Sequence, residues 1–484
     1  MNRIIVSMTT ISSRTDSLKK VIDSINRQSV NADIIDITVY SKDIENLLVT
    51  NEYENVVVHY TDDDIKGHKK YYNSFKKYTD DIVITLDDDV IYHEDTIAKL
   101  IEYHEKFPNA VIANRGRVIS LENKGIGKYS NWRRNAVIGV PAMQIMATGV
   151  LGVLYCPKWF LGSKLFDMDM IHEENILTND DIWLKYNELL LGIPTVITDL
   201  DKTIQEACLN ENNLTHINHE TNATDLSIKY IEEHDKVSIY ELIVGSIAKM
   251  NVAKLYDGHH STVYKLGEYL VVKKIKNPNA NIMQEVNGTR QITNNTDILM
   301  PEILGYDEAE RVIFMSFIEP LDDIVDRLTL ELYNKIKAEI DKLSLLEIDK
   351  SGFNEYLVYA LNTLGMFEDK FGMSKYRLHD VIHGEWKFCH GDISRDNVFL
   401  SNGRIAILDA ENSGALNYWW DADYIIADYP IDMVDKAVLD SLSYSDKCRV
   451  ALLKEVRIGR LIRKNMDISE KLADYKKTLE VLGI

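Results

Sequence analysis

The chain has 484 residues, enough for about two or three domains. It is 45% hydrophobic and 27% charged, with 8 Pro and 23 Gly, which excludes a disordered, collagen-like or low-complexity chain. A formal charge of −21 argues against a protein whose main work is binding nucleic acid, which needs surplus Lys and Arg. Anionic substrates would instead be met by local cations or metal ions. Cys156, Cys208, Cys389 and Cys448 stand far apart and form no CxxC pair. A disulfide framework or zinc cluster is therefore not expected, and a reducing, cytoplasmic compartment is.

The N-terminal half alternates strands and helices. Arg3–Met8 is a short apolar strand, and Leu18, Val21, Ile22 and Ile25 then recur at helical spacing. The start of the chain lacks the basic-then-apolar order of a signal peptide. Ile34–Tyr40 and Val56–Tyr60 read as further strands, and the apolar run Ile82–Leu86 as a strand buried on both faces. The pattern predicts a Rossmann-like α/β domain built on a parallel sheet, with ligand-binding loops at the strand C-terminal ends. No charged residue occurs from Asn135 to Pro157, a stretch that hydropathy alone would read as a membrane span. Gly139, Pro141, Gln144, Thr148, Gly149 and Gly152 interrupt it, so a buried strand-loop-strand is expected.

The pattern changes after about residue 235. Val263–Leu266 and Tyr269–Ile275 read as antiparallel strands around a Gly-Glu turn, and Leu328–Ile348 as a helix. A second set of strands comes near Phe388, and the remainder reads helical. A boundary between 235 and 250 gives an α/β domain over 1–240 and an α+β domain over 241–484.

Two groups of residues carry chemistry. Asp87, Asp88 and Asp89 end the buried strand, and their mutual repulsion calls for a cation. If the strand continues, alternation puts Asp87 and Asp89 on one side, where their oxygens suit Mn²⁺ or Mg²⁺. The second group lies in CHGDISRDNVFLSNGRIAILDAE, from Cys389 to Glu411. Val398–Leu400 and Ile405–Leu408 are strands around an Asn402-Gly403 hairpin turn. The hairpin brings Asn397 and Asp409 to one site suited to Mg²⁺, with Asp392 in a loop beside it.

The N-terminal domain resembles a GT-A-type glycosyltransferase of the bacterial surface-polysaccharide kind. Five segments in order carry the resemblance: VSMTTISSR (Val6–Arg14), DIKGHKK (Asp64–Lys70), VITLDDDVIY (Val83–Tyr92), TGVLGVLY (Thr148–Tyr155) and TNDDIWL (Thr178–Leu184). The resemblance implies that Asp87 and Asp89 hold the ion bridging the phosphates of a nucleotide sugar. It places Lys70 near the donor, without the usual preceding Gly-Pro. Thr148, Gly149 and Gly152 would form the loop that meets the sugars. Asp181, with Asp180 the alternative, would be the general base, which implies inversion. Asn179 and Asp180 are also good helix N-caps. His216 and His219 are candidates for completing the metal site, neither preferred.

The C-terminal domain resembles the aminoglycoside phosphotransferase and choline kinase family, which implies a bilobal, protein-kinase-like fold. Asp392 would take or orient the substrate hydroxyl proton, while Asn397 and Asp409 hold Mg²⁺ on ATP. His390 would position the loop, and Asp421 matches an Asp that braces it. LVVKKI (Leu270–Ile275) resembles the strand carrying the phosphate-binding lysine. Lys273 is preferred, with Lys274 the alternative on the other face, and Glu285 is the ion-pair partner. Ser261 and Thr262 replace a glycine-rich loop. MSFIEP (Met315–Pro320) resembles the hinge that meets adenine. DAEN in place of Asp-Phe-Gly favours a small-molecule kinase.

Arg457, Arg460 and Arg463, with Lys464, share one helix face, either solvated, which is the default, or meeting an anionic lipid-linked acceptor. The combination predicts a bifunctional enzyme of surface-glycan synthesis working in the cytoplasm at the inner membrane face. It would use a nucleotide sugar, ATP, and a sugar, glycan or lipid-linked acceptor. One alternative keeps the transferase and makes the kinase-like domain a binding module. Another is antibiotic phosphorylation with the transferase incidental.

Overall fold

The computed structural model describes residues 3–45, 47, 52–134, 138–200, 222–247, 251–258, 260–319, 327–348, 355–372, 385–417 and 419–484, with the backbone only at 355–357. They divide into two compact units. The first is Met1–Leu255 with Tyr264–Val272 and Leu304–Ala309; the second is Tyr256–Val263, Lys273–Ile303 and Glu310–Ile484.

The first unit opens with β1 (Ile4–Thr9), β2 (Ile34–Tyr40), β3 (Val56–Thr61), β4 (Ile82–Thr85) and β5 (Val111–Ala113). Short strands follow: β6 (Gly116–Val118), β7 (Leu121–Glu122), β8 (Gly125–Ile126), β9 (Arg133–Arg134) and β10 (Ile145–Ala147). Then come β11 (Val153–Tyr155) and β12 (Thr195–Ile197). The main sheet has the order β12-β5-β11-β4-β1-β2-β3. It is parallel from β4 through β3 and between β12 and β5.

The expected all-parallel sheet is corrected at β11, which runs antiparallel to both β4 and β5. Among the described residues no α-helix lies between β5 and β11, and a parallel return would need a crossover. The uncharged stretch accordingly supplies β10 and β11 around a turn. Among the described residues no helix is long and apolar enough to cross a membrane.

Two features of this sheet position chemistry. Helix Thr15–Asn26 buries Leu18, Val21, Ile22 and Ile25, its predicted face, in the core shared with β1, β2 and β4. β4 is central and buried, so its C-terminal end delivers Asp87 to Asp89 to the edge of the core. A second, three-stranded sheet has the order β10-β6-β9.

Beyond residue 255, Ser261–Leu266 and Leu270–Ile275 are neighbouring strands around a turn at Gly267. Helix Ile282–Asn295 follows, its first turn capped by the Asn281 side chain, which accepts from Met283 N at 3.1 Å. Strands Val398–Ser401 and Arg404–Ile407 pair antiparallel. Asn402 and Gly403 have φ of 50° and 75°, the positive values a two-residue hairpin turn requires.

Helix Tyr444–Arg463 starts with a reciprocal cap between Ser443 and Asp446. It crosses helix Glu355–Phe371 so closely at Gly459 that an added Cβ would sit 1.7 Å from the Thr363 carbonyl oxygen. Gly459→Ala must therefore push two helices apart, at a cost of about 1–3 kcal/mol or more. The urea midpoint should fall accordingly, and an unchanged midpoint would contradict this packing.

Candidate functional site

In the first unit the strand-end aspartates meet two built-in cations. The Arg14 guanidinium reaches Asp88 at 2.7 Å and Asp89 at 3.1 Å. Lys70 Nζ donates to Asp87 Oδ1 at 2.5 Å and lies 3.7 Å from Asp180. The turn is clamped by Tyr92, whose hydroxyl accepts from Asp87 N at 2.7 Å. Burial opposes the charge on Lys70, but Asp87, Asp180 and Asp181 outweigh it and hold the ammonium above its ordinary value.

Asp180 and Asp181 form the first turn of helix Asp180–Leu191, which ends on left-handed Gly192. The Asn179 side chain makes no cap bond; it donates to Ser227 Oγ at 3.0 Å instead. Burial, and then the charge of Asp180, push the Asp181 carboxyl up to about 8. Gly149 stands at the centre. A Cβ there would lie 3.5 Å from Asp181 Oδ1, 3.7 Å from Lys70 Nζ and 3.9 Å from Asp87 Oδ1. The three predicted side chains and the predicted loop thus converge. His216 and His219 lie outside the described residues.

In the second unit, Leu270–Ile275 turns Lys273 inward, 5% exposed, and leaves Lys274 in solvent. Lys273 Nζ donates to Glu285 at 2.8 Å and Asp409 at 2.6 Å. Burial would raise the Asp409 carboxyl, but Lys273 holds it below its ordinary value. The sequence had not pointed to Glu411, two residues after Asp409. Burial and the charge of Asp409 push its carboxyl up to about 7. Its oxygens come within 4.8 Å of those of Asp409 and Glu285, a set that could hold a cation. The spacing in DAEN was the only available signal.

The loop before the hairpin is held on every side. Asn397 Nδ2 donates to Asp392 O at 3.0 Å and to its carboxylate at 3.2 Å. Leu408 N donates to Asn397 O at 2.7 Å, which sets Asn397 beside the Asp409 end of the hairpin. Asp421 accepts from His390 N at 2.7 Å and Gly391 N at 2.8 Å, the bracing predicted for it. His390 Nε2 meets Leu408 O at 2.8 Å. Ser261 is buried, and the Thr262 hydroxyl donates to Asp257 at 3.0 Å.

The default of a solvated face holds for Arg463 and Lys464, which are exposed, and is corrected for Arg457 and Arg460, which are half-buried. Arg457 forms an ion pair with Asp428, and its guanidinium lies 5.5 Å from the Tyr424 ring centroid. Arg460 donates to the Tyr424 hydroxyl at 2.9 Å, and Arg463 lies 4.9 Å from the Tyr359 ring centroid. Asp392 is among the charges that act on Arg457 and Tyr424. These arginines lie against tyrosine rings, where cation–π contact adds to their ion pairs and hydrogen bonds.

Each unit thus holds a cluster of charged side chains, the first around Gly149 and the second around Lys273. Residues 14–160 match the family described as Glycosyl transferase family 2. No curated protein matches the chain. Among solved structures, an ADP-bound aminoglycoside phosphotransferase APH(2'')-Ib is 16% identical, with 56% of this chain and 98% of that chain covered at a TM-score of 0.33. Choline kinase LicA from Streptococcus pneumoniae is 15% identical, with 53% and 98% covered and a TM-score of 0.37. The GDP complex of aminoglycoside 2'-phosphotransferase-IIIa is 13% identical, with 55% and 98% covered and a TM-score of 0.36. Residues 14–160 are thus similar to a glycosyl transferase family 2 domain.

Proposed function

We propose that this is a bifunctional enzyme of surface-glycan synthesis, with a metal-dependent glycosyltransferase in residues 1–240 and an ATP-dependent carbohydrate kinase in residues 241–484. The observation that carries it is two preassembled constellations in one chain. Asp181 stands with Lys70 and Asp87 around Gly149. Lys273 stands with Glu285 and Asp409, beside the Asp392–Asn397 loop.

In the transferase, Asp181 deprotonates the acceptor hydroxyl, which attacks the anomeric carbon from the face opposite the leaving nucleotide diphosphate and so inverts it. Asp87 and Asp89 would hold Mn²⁺ or Mg²⁺. Their oxygen donors suit a hard ion, and each already faces a cationic side chain. The ion offsets charge on the leaving diphosphate. Lys70 adds a fixed positive charge on the same side. His216 and His219 are candidates to complete the donor set.

In the kinase, the acceptor oxygen bonds to the γ-phosphorus, the bond to the bridging oxygen of ADP breaks, and the hydroxyl proton passes to Asp392. Lys273, oriented by Glu285, meets the ATP phosphates. Asn397 and Asp409 would hold Mg²⁺, which neutralises them, and Ser261 and Thr262 border the phosphates. The chain would act at the cytoplasmic membrane face.

A second reading, a nucleotide-binding module, draws on the Thr262 hydroxyl being committed to Asp257. One preparation should be given Mg²⁺, γ-labelled ATP and a panel of sugars, and separately Mn²⁺ with labelled nucleotide sugars. Label moving to a sugar in the first assay, and donor turnover in the second, is the expected result. ATP binding without transfer to any sugar would move weight to the binding module.

A further inference from the structure

The small sheet β10-β6-β9 gathers cations that neither reaction above uses. Arg115 directly precedes β6, and Arg117 lies within it. Arg134 on β9 is the register partner of Arg117, so two like charges stand opposite each other across the sheet. Arg117 is 6% exposed, and its guanidinium lies 4.3 Å from the Tyr129 ring centroid. It also donates to Trp132 O at 3.4 Å. Among the described residues none of the three arginines has a carboxylate within ion-pair distance.

Arg117 is buried and Arg115 half-buried, while Arg134 is exposed; buried cations without a counter-ion destabilise a fold. Burial, and then the charge of Arg134, pull Arg115 below its ordinary value; burial does the same to Arg117. Such a cluster makes physical sense when an anion completes it.

The backbone puts this cluster beside the proposed base. Thr148 N donates to Arg115 O at 3.0 Å. The next residue, Gly149, donates its N–H to Asp181, the carboxylate whose charge reaches Arg115 and Tyr129. A phosphate monoester carries a charge of about −1.5 to −2 at neutral pH, and its oxygens suit several guanidinium forks.

We propose that Arg115, Arg117 and Arg134, with Arg117 against the Tyr129 ring, form an anion subsite that holds a phosphate group of the acceptor beside Asp181. The assignment to the acceptor rests on Asp181 being the transferase base. The reaction that must supply such an acceptor is phosphorylation of a hydroxyl, the reaction proposed for the second unit. Phosphorylation then precedes glycosyl transfer.

Glucose 6-phosphate, glucose, and UDP or GDP with Mn²⁺ should each be titrated into the full chain and into the Arg115→Gln/Arg134→Gln variant. The variant should lose about tenfold or more in affinity for glucose 6-phosphate. Its affinity for the nucleoside diphosphate with Mn²⁺ should stay the same. Relief of like charges should leave its melting temperature no lower than that of the wild type, so loss of binding is not loss of fold. Unchanged affinity for glucose 6-phosphate would overturn the subsite. Weakened nucleotide–Mn²⁺ binding would overturn the acceptor assignment, since the arginines would then serve the donor. A wild-type chain that binds neither nucleotide with Mn²⁺ would sink the transferase itself, whatever the arginines do with phosphate.

Discussion

Asp392→Asn should abolish phosphate transfer from ATP while leaving nucleotide binding and glycosyl transfer intact. The substitution keeps the shape of the side chain and removes its basicity. The loop around it is fixed by other groups: Asp421 holds two of its backbone N–H groups, and His390 ties it to Leu408. The variant should therefore fold normally. Asn397 Nδ2 donates to the Asp392 carboxylate at 3.2 Å, which fixes the position of that carboxylate in the loop. A positioned general base is worth about 10²–10⁴-fold in rate. Label transfer should fall by that factor with ADP affinity unchanged. Retention of more than a tenth of the wild-type rate would remove Asp392 from the chemistry.

Asp181→Asn should have a comparable effect on the other reaction, and pH separates its role from that of Asp180. Asp181 is buried, and its carboxyl is pushed up to about 8, with Asp180 as the leading like charge. A base works only when ionised, so kcat/KM for glycosyl transfer should rise with pH along a limb ending no higher than about 8. A cation at Asp87 and Asp89 lowers that limb, because positive charge favours the carboxylate. Asp180→Asn removes a negative neighbour and should shift the limb further toward low pH while preserving turnover. Asp181→Asn should remove the limb together with about 10²–10⁴-fold of rate. A limb that stays in place in Asp180→Asn would reject the coupling. A limb that survives in Asp181→Asn would reject the base.

Local pattern made much of this molecule legible. The apolar run before Asp87 is a central buried strand because both its faces are covered. Asn402-Gly403 forms the turn that its backbone preferences allow. Alternation separated Lys273 from Lys274 once one face was known to be buried, a fact that the two adjacent lysines do not carry themselves. What escaped depends on contacts between distant segments. The antiparallel direction of β11 follows from the lack of a crossover helix before it among the described residues. Arg14 was visible as the end of a motif, but its grip on Asp88 and Asp89 spans more than 70 residues. Arg457 and Arg460 of helix Tyr444–Arg463 looked solvated because nothing local reveals that Tyr424 lies against them.

The pairing of Arg14 and Lys70 with the aspartate run has a consequence for the order of events. Three adjacent carboxylates would ordinarily recruit a free divalent ion from solution and depend on it for folding. Here an ammonium and a guanidinium already offset part of that charge. Under the proposed function a bare ion would have to compete with those side chains, whereas one that arrives with a nucleotide diphosphate would bring an anion for Lys70. Metal and donor would then enter as one ligand.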